Sequence, residues 1–259
     1  MNYVKNSFKM GPFRVISYSR REMEHMTIVP DGCHSDYVIH GDLSVAASYE
    51  FASYLFYRGL AKKSNKINSV LEVFGGSGWE SHLIGRVIKP EKHYVLEMYE
   101  QGCKSIEENC NPTSVMQVDS YYFCSILKKH FDLIVADFNA FTFRKMEQDR
   151  NIKEAVKGMF RSSNKYVKIS DSTFFGIYRF PKNITSYDLY LDGHAKDYKH
   201  FYSLIQKKFY KLYGFSLIKV IIPKGKTVAL LIFKKGKYSN LTFKSVNEKF
   251  DMKILRGVS

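Results

Sequence analysis

Residues 68–79 have the sequence NSVLEVFGGSGW, in which a short apolar run ends abruptly in a turn rich in glycine. Val70, Leu71 and Val73 are typical of a buried β-strand, and the apolar spacing of residues 82–87 favours a helix after the turn. A strand, a glycine turn and a helix in this order bring the backbone close to a ligand at the carboxyl end of a parallel strand. Glycine suits the turn because a Cβ atom would restrict φ and block the ligand.

Acidic residues mark four successive apolar runs of the chain. Glu72 lies two positions before the turn, and Glu97, Asp119 and Asp137 each end a later run. Their separations of 25, 22 and 18 residues predict strands that alternate with helices. The carboxyl ends of parallel strands meet at one edge of a sheet, so we expect the four acids along the edge where α/β folds bind ligands.

These features resemble the class I S-adenosylmethionine-dependent methyltransferases over residues 65–235. The resemblance implies an α/β, Rossmann-like, mostly parallel seven-stranded sheet with helices on both faces. Its last two strands form an antiparallel hairpin, for which residues 215–222 and 228–233 fit. A small N-terminal β extension would precede this fold.

The family's first motif is an acidic residue followed by glycines at alternate positions. Glu72, Gly76 and Gly78 match it, and Phe74 replaces the first glycine, as in several nucleic-acid methyltransferases, including the 16S ribosomal RNA guanine-N2 family. By resemblance, Glu97 holds the ribose hydroxyls of the cofactor and Asp119 accepts from its adenine amino group. The residues implied to bind S-adenosylmethionine are Glu72, Phe74, Gly75, Gly76, Gly78, Glu97, Met98, Asp119 and Ser120. A dehydrogenase is disfavoured, because position 81 of the Gly-x-Gly-x-x-Gly spacing is Ser.

The family's fourth motif corresponds to residues 137–141, DFNAF. These residues do not decide which type of acceptor atom is methylated. Amino-group methyltransferases usually have an acid or Asn, two prolines and an aromatic residue there, and both prolines are missing. We predict Asp137, Asn139 and Phe141 as the catalytic residues, with Phe141 stacking on a base.

Other acceptor chemistries are matched incompletely. Cytosine-C5 transfer needs a cysteine nucleophile near this strand end, and none is there. The Lys-Asp-Lys-Glu tetrad of ribose 2′-O enzymes is filled only by Asp137 and Lys168, since no Glu occurs between Glu154 and Glu248. Asp137 and Asp171 resemble a magnesium pair without a third oxygen ligand, so we predict no metal.

The net charge of +15 is unevenly distributed along the chain. Residues 1–144 contain 16 Lys or Arg and 16 Asp or Glu, whereas residues 145–259 contain 24 and 9. A basic second half favours a nucleic-acid partner, RNA or DNA, over an ordinary solvated surface. Basic and aromatic residues alternate within an insertion at 174–213, which suits phosphate contacts and base stacking. The predicted nucleic-acid contacts are Arg179, Lys182, Lys196 and Lys199.

The predicted organisation is an extension at 1–41, a methyltransferase domain at 42–235 and a basic tail at 236–259. No apolar run approaches the roughly 20 residues of a membrane span. The N-terminus lacks the apolar middle region of a signal peptide, and the four cysteines form no CxxC pair. We therefore expect a cytoplasmic protein with reduced thiols.

The sequence as a whole predicts an S-adenosylmethionine-dependent methyltransferase that acts on nucleic acid. Two alternatives stay open. One is a catalytically inactive, methyltransferase-like subunit that binds nucleic acid, which the altered fourth motif would explain. The other is an O- or protein methyltransferase.

Overall fold

The computed structural model describes residues 3–10, 13–20, 23–30, 39–40, 43–62, 66–136, 146–171, 197–223 and 229–246. The N-terminal part is a four-stranded antiparallel sheet whose strands follow one another in sequence order. Its strands are β1 (Tyr3–Met10), β2 (Phe13–Arg20), β3 (Met23–Pro30) and β4 (Ile39–His40). The predicted β extension is therefore present, with more strands than a single hairpin.

A second sheet of eight strands forms the centre of the fold, in the order β12-β10-β11-β9-β8-β5-β6-β7. Its strands are β5 (Ser69–Val73), β6 (Lys92–Glu97), β7 (Ser114–Gln117), β8 (Phe131–Ala136), β9 (Ser163–Asp171), β10 (Phe215–Pro223), β11 (Ala229–Lys235) and β12 (Thr242–Val246). Only β11 runs antiparallel to its neighbours, β9 and β10. The sheet thus has the predicted parallel order and the predicted terminal hairpin.

The eighth strand, β12, lies in the segment that the sequence predicted as a tail. It pairs in parallel with β10, from Lys219 opposite Thr242 to Pro223 opposite Val246. Phe243 contacts Tyr198 with the ring centroids 5.7 Å apart. The strand covers the edge of β10, whose backbone N–H and C=O groups would otherwise be unpaired.

Helices cover both faces of the eight-stranded sheet. They are α1 (Leu43–Ala61), α2 (Trp79–Leu83), α3 (Glu100–Cys110), α4 (Ser120–Ile126), α5 (Met146–Ser162) and α6 (Tyr198–Tyr213), and α2 continues as a π-helical turn over Ile84–Ile88. One face packs on α1 and α2 through a buried cluster that includes Tyr57, Trp79 and Val135. The other packs on α4, α5 and α6. None of the helices in the described part of the chain is long and apolar enough to cross a membrane.

Aromatic packing closes the second face. The ring of Phe160 in α5 lies 4.9–5.1 Å, centroid to centroid, from those of Phe209, Phe215 and Phe233. Edge-to-face pairs of this kind contribute about 0.5–1.5 kcal/mol each beyond the area they bury. They join α5 and α6 to the hairpin strands β10 and β11.

Because the strands are parallel, the sheet has two chemically distinct edges. We call the edge where β5, β6 and β7 end the carboxyl edge; it carries the glycine turn, Met98 and Asp119. The opposite edge, where these strands begin, is called the amino edge. Functional residues are placed below with respect to these two edges.

Candidate cofactor site at the carboxyl edge

The glycine turn leaves β5 through three residues with positive φ: Phe74 at 65°, Gly76 at 56° and Gly78 at 94°. Backbone hydrogen bonds hold it against the sheet. Gly75 N–H donates to the carbonyl of Leu96 at 2.9 Å, and Gly78 N–H donates to that of Gly75 at 3.0 Å. Phe74 adopts a left-handed conformation that is rare for a bulky residue, so this turn stores strain of the order of 1–3 kcal/mol.

The three glycines of the turn serve two different purposes. A Cβ on Gly75 would lie 2.5 Å from Val95 Cγ1, and one on Gly78 would lie 2.9 Å from Cys110 Sγ. These two positions are therefore closed by packing. A Cβ on Gly76 would meet only the Phe74 carbonyl, 4.0 Å away, so the space beside Gly76 is open to a ligand.

Glu97 joins this open space to the end of β6. Its side chain is buried, and Oε2 accepts the Gly76 N–H at 2.7 Å while Oε1 accepts the Tyr99 N–H at 2.8 Å. Gly102 of α3 permits this approach, because a Cβ there would lie 2.7 Å from Glu97 Cγ. A carboxylate oxygen accepts more than one hydrogen bond, so each oxygen retains capacity for a ligand hydroxyl.

Asp119 has a structural role beside any role toward a ligand. It is exposed and caps α4, since Oδ1 accepts the Tyr121 N–H at 2.8 Å and the Tyr122 N–H at 3.3 Å. Such a cap contributes about 1 kcal/mol. Ser120 is buried, and its hydroxyl has no hydrogen-bond partner among the described residues.

Exposed apolar side chains lie at the same edge. Met98 is 49% exposed, Tyr99 is 56% exposed and Tyr122 is 64% exposed, although all three are large. Met98 and Tyr99 directly follow Glu97 at the end of β6. Tyr122 lies in the first turn of α4, which Asp119 caps. A polar anchor bordered by apolar surface suits a ligand that combines a sugar with a flat ring.

Glu72 is buried next to the glycine turn, on the face of the sheet that α2 covers. Its Oε2 accepts from the Ser81 hydroxyl at 2.7 Å and lies 3.1 Å from His93 Nε2. The cofactor contact that the resemblance implied for Glu72 stays a prediction. In this structure Glu72 connects β5 to α2 and β6.

Sequence reasoning missed a second buried network beside the turn. Glu80, in the first turn of α2, accepts through Oε1 from both the Tyr57 hydroxyl and the Lys168 ammonium group. Burial, followed by the charge of Glu80, raises the pKa of Tyr57 well above its ordinary value. Lys168 is fully buried here. The sequence analysis considered Lys168 for the tetrad of ribose 2′-O enzymes. Its ammonium group is not exposed to a substrate here, so the structure does not support that role.

The predicted catalytic residues Asp137, Asn139 and Phe141 lie outside the described residues, directly after β8. Three of the predicted nucleic-acid contacts also lie outside the described residues: Arg179, Lys182 and Lys196. The fourth, Lys199, is exposed in the first turn of α6. Asp171 is the last residue of β9.

The described cysteines do not supply a nucleophile. Burial raises the pKa of the Cys103 and Cys110 thiols, and it raises that of Cys124 to about 12. Such thiols stay protonated at neutral pH. Within the described ranges, no group of three His, Cys, Asp or Glu side chains is arranged to hold a metal ion.

A large open cleft lies elsewhere, at the amino edge. It has a volume of about 980 Å³ and is lined by residues that include Arg86, Lys89, Asn111 and Thr113. The glycine turn does not contribute to its lining. Its position excludes it as the place where Glu97 would meet a ligand.

No family model matches the sequence, and no curated protein matches it. Solved structures do match the fold. The magnesium protoporphyrin IX methyltransferase of Synechocystis PCC 6803 with bound S-adenosylhomocysteine is similar over 76% of this chain and 90% of its own, with 10% identity and a TM-score of 0.51. The N-methyltransferase NodS of Bradyrhizobium japonicum WM9, also with S-adenosylhomocysteine, is similar over 73% and 88%, with 12% identity and a TM-score of 0.50. The plantazolicin methyltransferase BpumL with S-adenosylhomocysteine is similar over 74% and 86%, with 14% identity and a TM-score of 0.50.

Proposed function

We propose, from the premise that this chain has the fold of the class I S-adenosylmethionine-dependent methyltransferases, that it transfers a methyl group from S-adenosylmethionine to nucleic acid. One observation carries the proposal. Glu97 is fixed at the end of β6 by the N–H groups of Gly76 and Tyr99, beside the open space at Gly76.

The residues of the carboxyl edge fit the cofactor. The two oxygens of Glu97 would accept from the ribose hydroxyls, since each is used by only one backbone N–H. Asp119 would accept from the adenine amino group through Oδ2, because Oδ1 caps α4. Met98 and Tyr122 would cover the flat ring. The S-adenosylhomocysteine in three proteins of similar fold supports this assignment.

S-adenosylmethionine supplies an activated methyl group, so the task of the protein is to align the acceptor with it. Asp137 and Asn139 would orient the nucleophile or accept its proton, and Phe141 would stack on a base. What supports this assignment is that β8 ends at Ala136, one residue before Asp137.

The nucleic-acid acceptor is supported by charge. The chain has a net charge of +15, and all of the excess lies in residues 145–259. Arg179, Lys182, Lys196 and Lys199 would contact phosphates near the acceptor. A sequence-independent contact of this kind makes binding strongly dependent on salt.

Two measurements on the purified chain test the proposal. Calorimetry should detect S-adenosylmethionine binding, and mass spectrometry should find methylated nucleosides after incubation of RNA and DNA with isotope-labelled cofactor. The Asp137→Ala variant should lose turnover and keep its cofactor affinity within a few-fold. A folded protein that binds no cofactor would overturn the proposal as a whole.

The altered fourth motif favours a second candidate, a methyltransferase-like subunit that binds nucleic acid without modifying it. Residues 138–140 are Phe-Asn-Ala where amino-group enzymes have two prolines and an aromatic residue. Cofactor and oligonucleotide binding without methyl transfer to any nucleic acid would favour this candidate. Transfer to a protein or to a small hydroxyl compound would indicate an O- or protein methyltransferase.

A further inference from the structure

Positively charged side chains follow the amino edge of the eight-stranded sheet. The connections to β5, β6, β8 and β9, and the chain that leaves β11, each carry one or two of them. We call these residues the basic row: Lys66, Lys89, Lys92, Lys128, Lys129, Arg161, Lys165, Lys235 and Lys237. Lys165 is half-buried, and the others are exposed.

The acidic residues interspersed with the basic row leave most of it uncompensated. Glu91 pairs with Lys66 at 2.8 Å, and Asp132 pairs with Lys165 at 3.2 Å. The row ends before β7, where Glu107 and Glu108 occupy the last turns of α3. Residues 1–144 are neutral along the chain, but within the described residues 66–136 the positive and negative side chains lie in different places.

This separation follows from where the carboxylates lie. Glu72, Glu80 and Glu97 are buried, and Asp119 is at the carboxyl edge. Most lysines of residues 66–136, including Lys92 and Lys129, are exposed at the amino edge.

Three cations of the row are held in place by backbone carbonyls of neighbouring connections. Lys165 donates to the carbonyl of Lys66 at 2.8 Å, Lys235 to that of Ser163 at 3.1 Å, and Arg161 to that of Leu127 at 2.8 Å. An ammonium group has three donors and a guanidinium five, so each retains donors for an anion. Their positions are fixed before any partner arrives, which lowers the entropy cost of binding.

The row extends across five adjacent strands, β6, β5, β8, β9 and β11. Four strand spacings of about 4.8 Å make it about 19 Å long. One strand of a nucleic acid places a phosphate about every 3.4 Å along its axis, so several phosphates fit this length. A row of cations of this length is complementary to such a backbone.

We propose that the basic row is a docking surface for the phosphate backbone of nucleic acid, separate from the cofactor site. The proposal rests on the proposed nucleic-acid function and extends it. The six residues of β6 or β8 span about 20 Å between the two edges. The row therefore binds a part of the nucleic acid remote from the methylated nucleotide, and long substrates bind more tightly than short ones.

The test uses the full chain without cofactor and fluorescent RNA and DNA oligonucleotides of about 30 nucleotides, titrated at several salt concentrations. The edge variant carries Lys89→Glu, Lys92→Glu, Lys128→Glu and Lys129→Glu. A control variant makes the same charge change in the middle of other elements, with Lys104→Glu, Lys153→Glu, Lys207→Glu and Lys244→Glu, all exposed in the native protein. Calorimetry with S-adenosylmethionine verifies that the edge variant keeps its fold and its cofactor site.

The edge variant should bind at least about tenfold more weakly than the native chain in low salt. Its slope of log K against log salt should be shallower by about 0.7–0.9 for each phosphate that the variant no longer neutralises, and the control should change far less. If the native chain binds and the edge variant binds as tightly as the control variant, the row is not the docking surface. The proposed nucleic-acid function is then unaffected. If the native chain binds no oligonucleotide, this inference and the nucleic-acid acceptor both fail, whatever the cofactor result. Binding only to vesicles of phosphatidylserine and phosphatidylcholine, abolished in the edge variant, would make the row a membrane surface and overturn the inference.

Discussion

Glu97 and Gly76 are joined by a hydrogen bond of 2.7 Å, which the backbone N–H of Gly76 donates to Oε2 of the carboxylate. The bond ties the end of β6 to the glycine turn after β5. A second N–H, that of Tyr99, occupies Oε1 at 2.8 Å. The acid that would hold the cofactor thus also shapes the turn beside it.

Glu97→Gln should therefore weaken cofactor binding by more than a simple loss of charge. Whichever way the amide is turned, its NH2 group faces a backbone N–H, because both carboxylate oxygens already accept one. We expect S-adenosylmethionine affinity to fall by about 1.5–3 kcal/mol, roughly 10- to 150-fold, as measured by calorimetry. Glu100→Gln is the control, since Glu100 is exposed and its carboxylate pairs with Lys104 one turn along α3. Binding within twofold of the native chain in Glu97→Gln would show that Glu97 does not contact the cofactor.

Gly102→Ala should reverse the usual effect of alanine in a helix. Alanine normally stabilises a helix by about 0.5–1 kcal/mol relative to glycine. At position 102 a Cβ would lie 2.7 Å from Glu97 Cγ and 2.8 Å from the carbonyl oxygen of Gly76. We expect lower stability in urea unfolding and weaker cofactor binding.

The matched control is Gly59→Ala in α1, where a Cβ would meet nothing within 4 Å. This variant should gain stability and keep its cofactor affinity. Equal effects of the two alanines would contradict the close packing of Gly102 on Glu97.

Phe74 allows a test of backbone strain at the turn. Its φ of 65° suits glycine, so the usual order of alanine and glycine should be inverted there. Phe74→Ala and Phe74→Gly both remove the edge-to-face packing on Tyr121, whose ring centroid is 5.2 Å away. We expect the glycine variant to be the more stable of the two by about 1 kcal/mol in urea unfolding. An alanine variant as stable as the glycine variant would show that the turn relaxes.

The strand–turn–helix around residue 75 and the acid Glu97 were predictable because their signals are local. Apolar runs, glycines and strand-terminal acids occur within a few residues of one another. The order of the sheet then followed from the resemblance. The strand Thr242–Val246 was not predictable, since five residues with two apolar side chains carry too weak a pattern without the open edge of β10.

The buried network and the basic row could not be read from spacing. Glu80 and Lys168 are 88 residues apart and meet only because α2 packs on the face of β9. Likewise, a balance of charge along residues 1–144 says nothing about which charges are buried. Phe74 was recognised as a replacement for glycine, but its φ of 65° emerged only from the structure.

Tyr57 provides a pH test of the buried network. Burial and Glu80 raise its pKa in the folded state above the ordinary value of 10.0. Its contribution to stability is therefore complete below pH 10 and decreases as the pH rises above 10, because only the unfolded state then ionises. Between pH 10 and the raised pKa of Tyr57, the free energy of unfolding should fall by about 1.4 kcal/mol for each pH unit. In urea unfolding from pH 8 to 11, Tyr57→Phe should lose less stability above pH 10 than the native chain. Parallel curves for the two proteins would exclude a raised pKa for Tyr57.

The pair of Glu80 and Lys168 should behave as a unit. Lys168→Met leaves a buried carboxylate that still accepts from the Tyr57 hydroxyl, and Glu80→Gln leaves a buried ammonium group. Removing one member of a buried pair costs about 3–5 kcal/mol, because the other charge stays in a low-dielectric interior. The double variant removes both charges, so its loss of stability should be well below the sum of the single losses. The control cycle is Lys66 and Glu91, an exposed pair whose coupling should be far smaller. Because Glu80 lies in the first turn of α2, close after the glycine turn, both single variants should also bind S-adenosylmethionine more weakly than the double variant does. Additive losses within about 0.5 kcal/mol in urea unfolding would show that the two side chains do not stabilise each other.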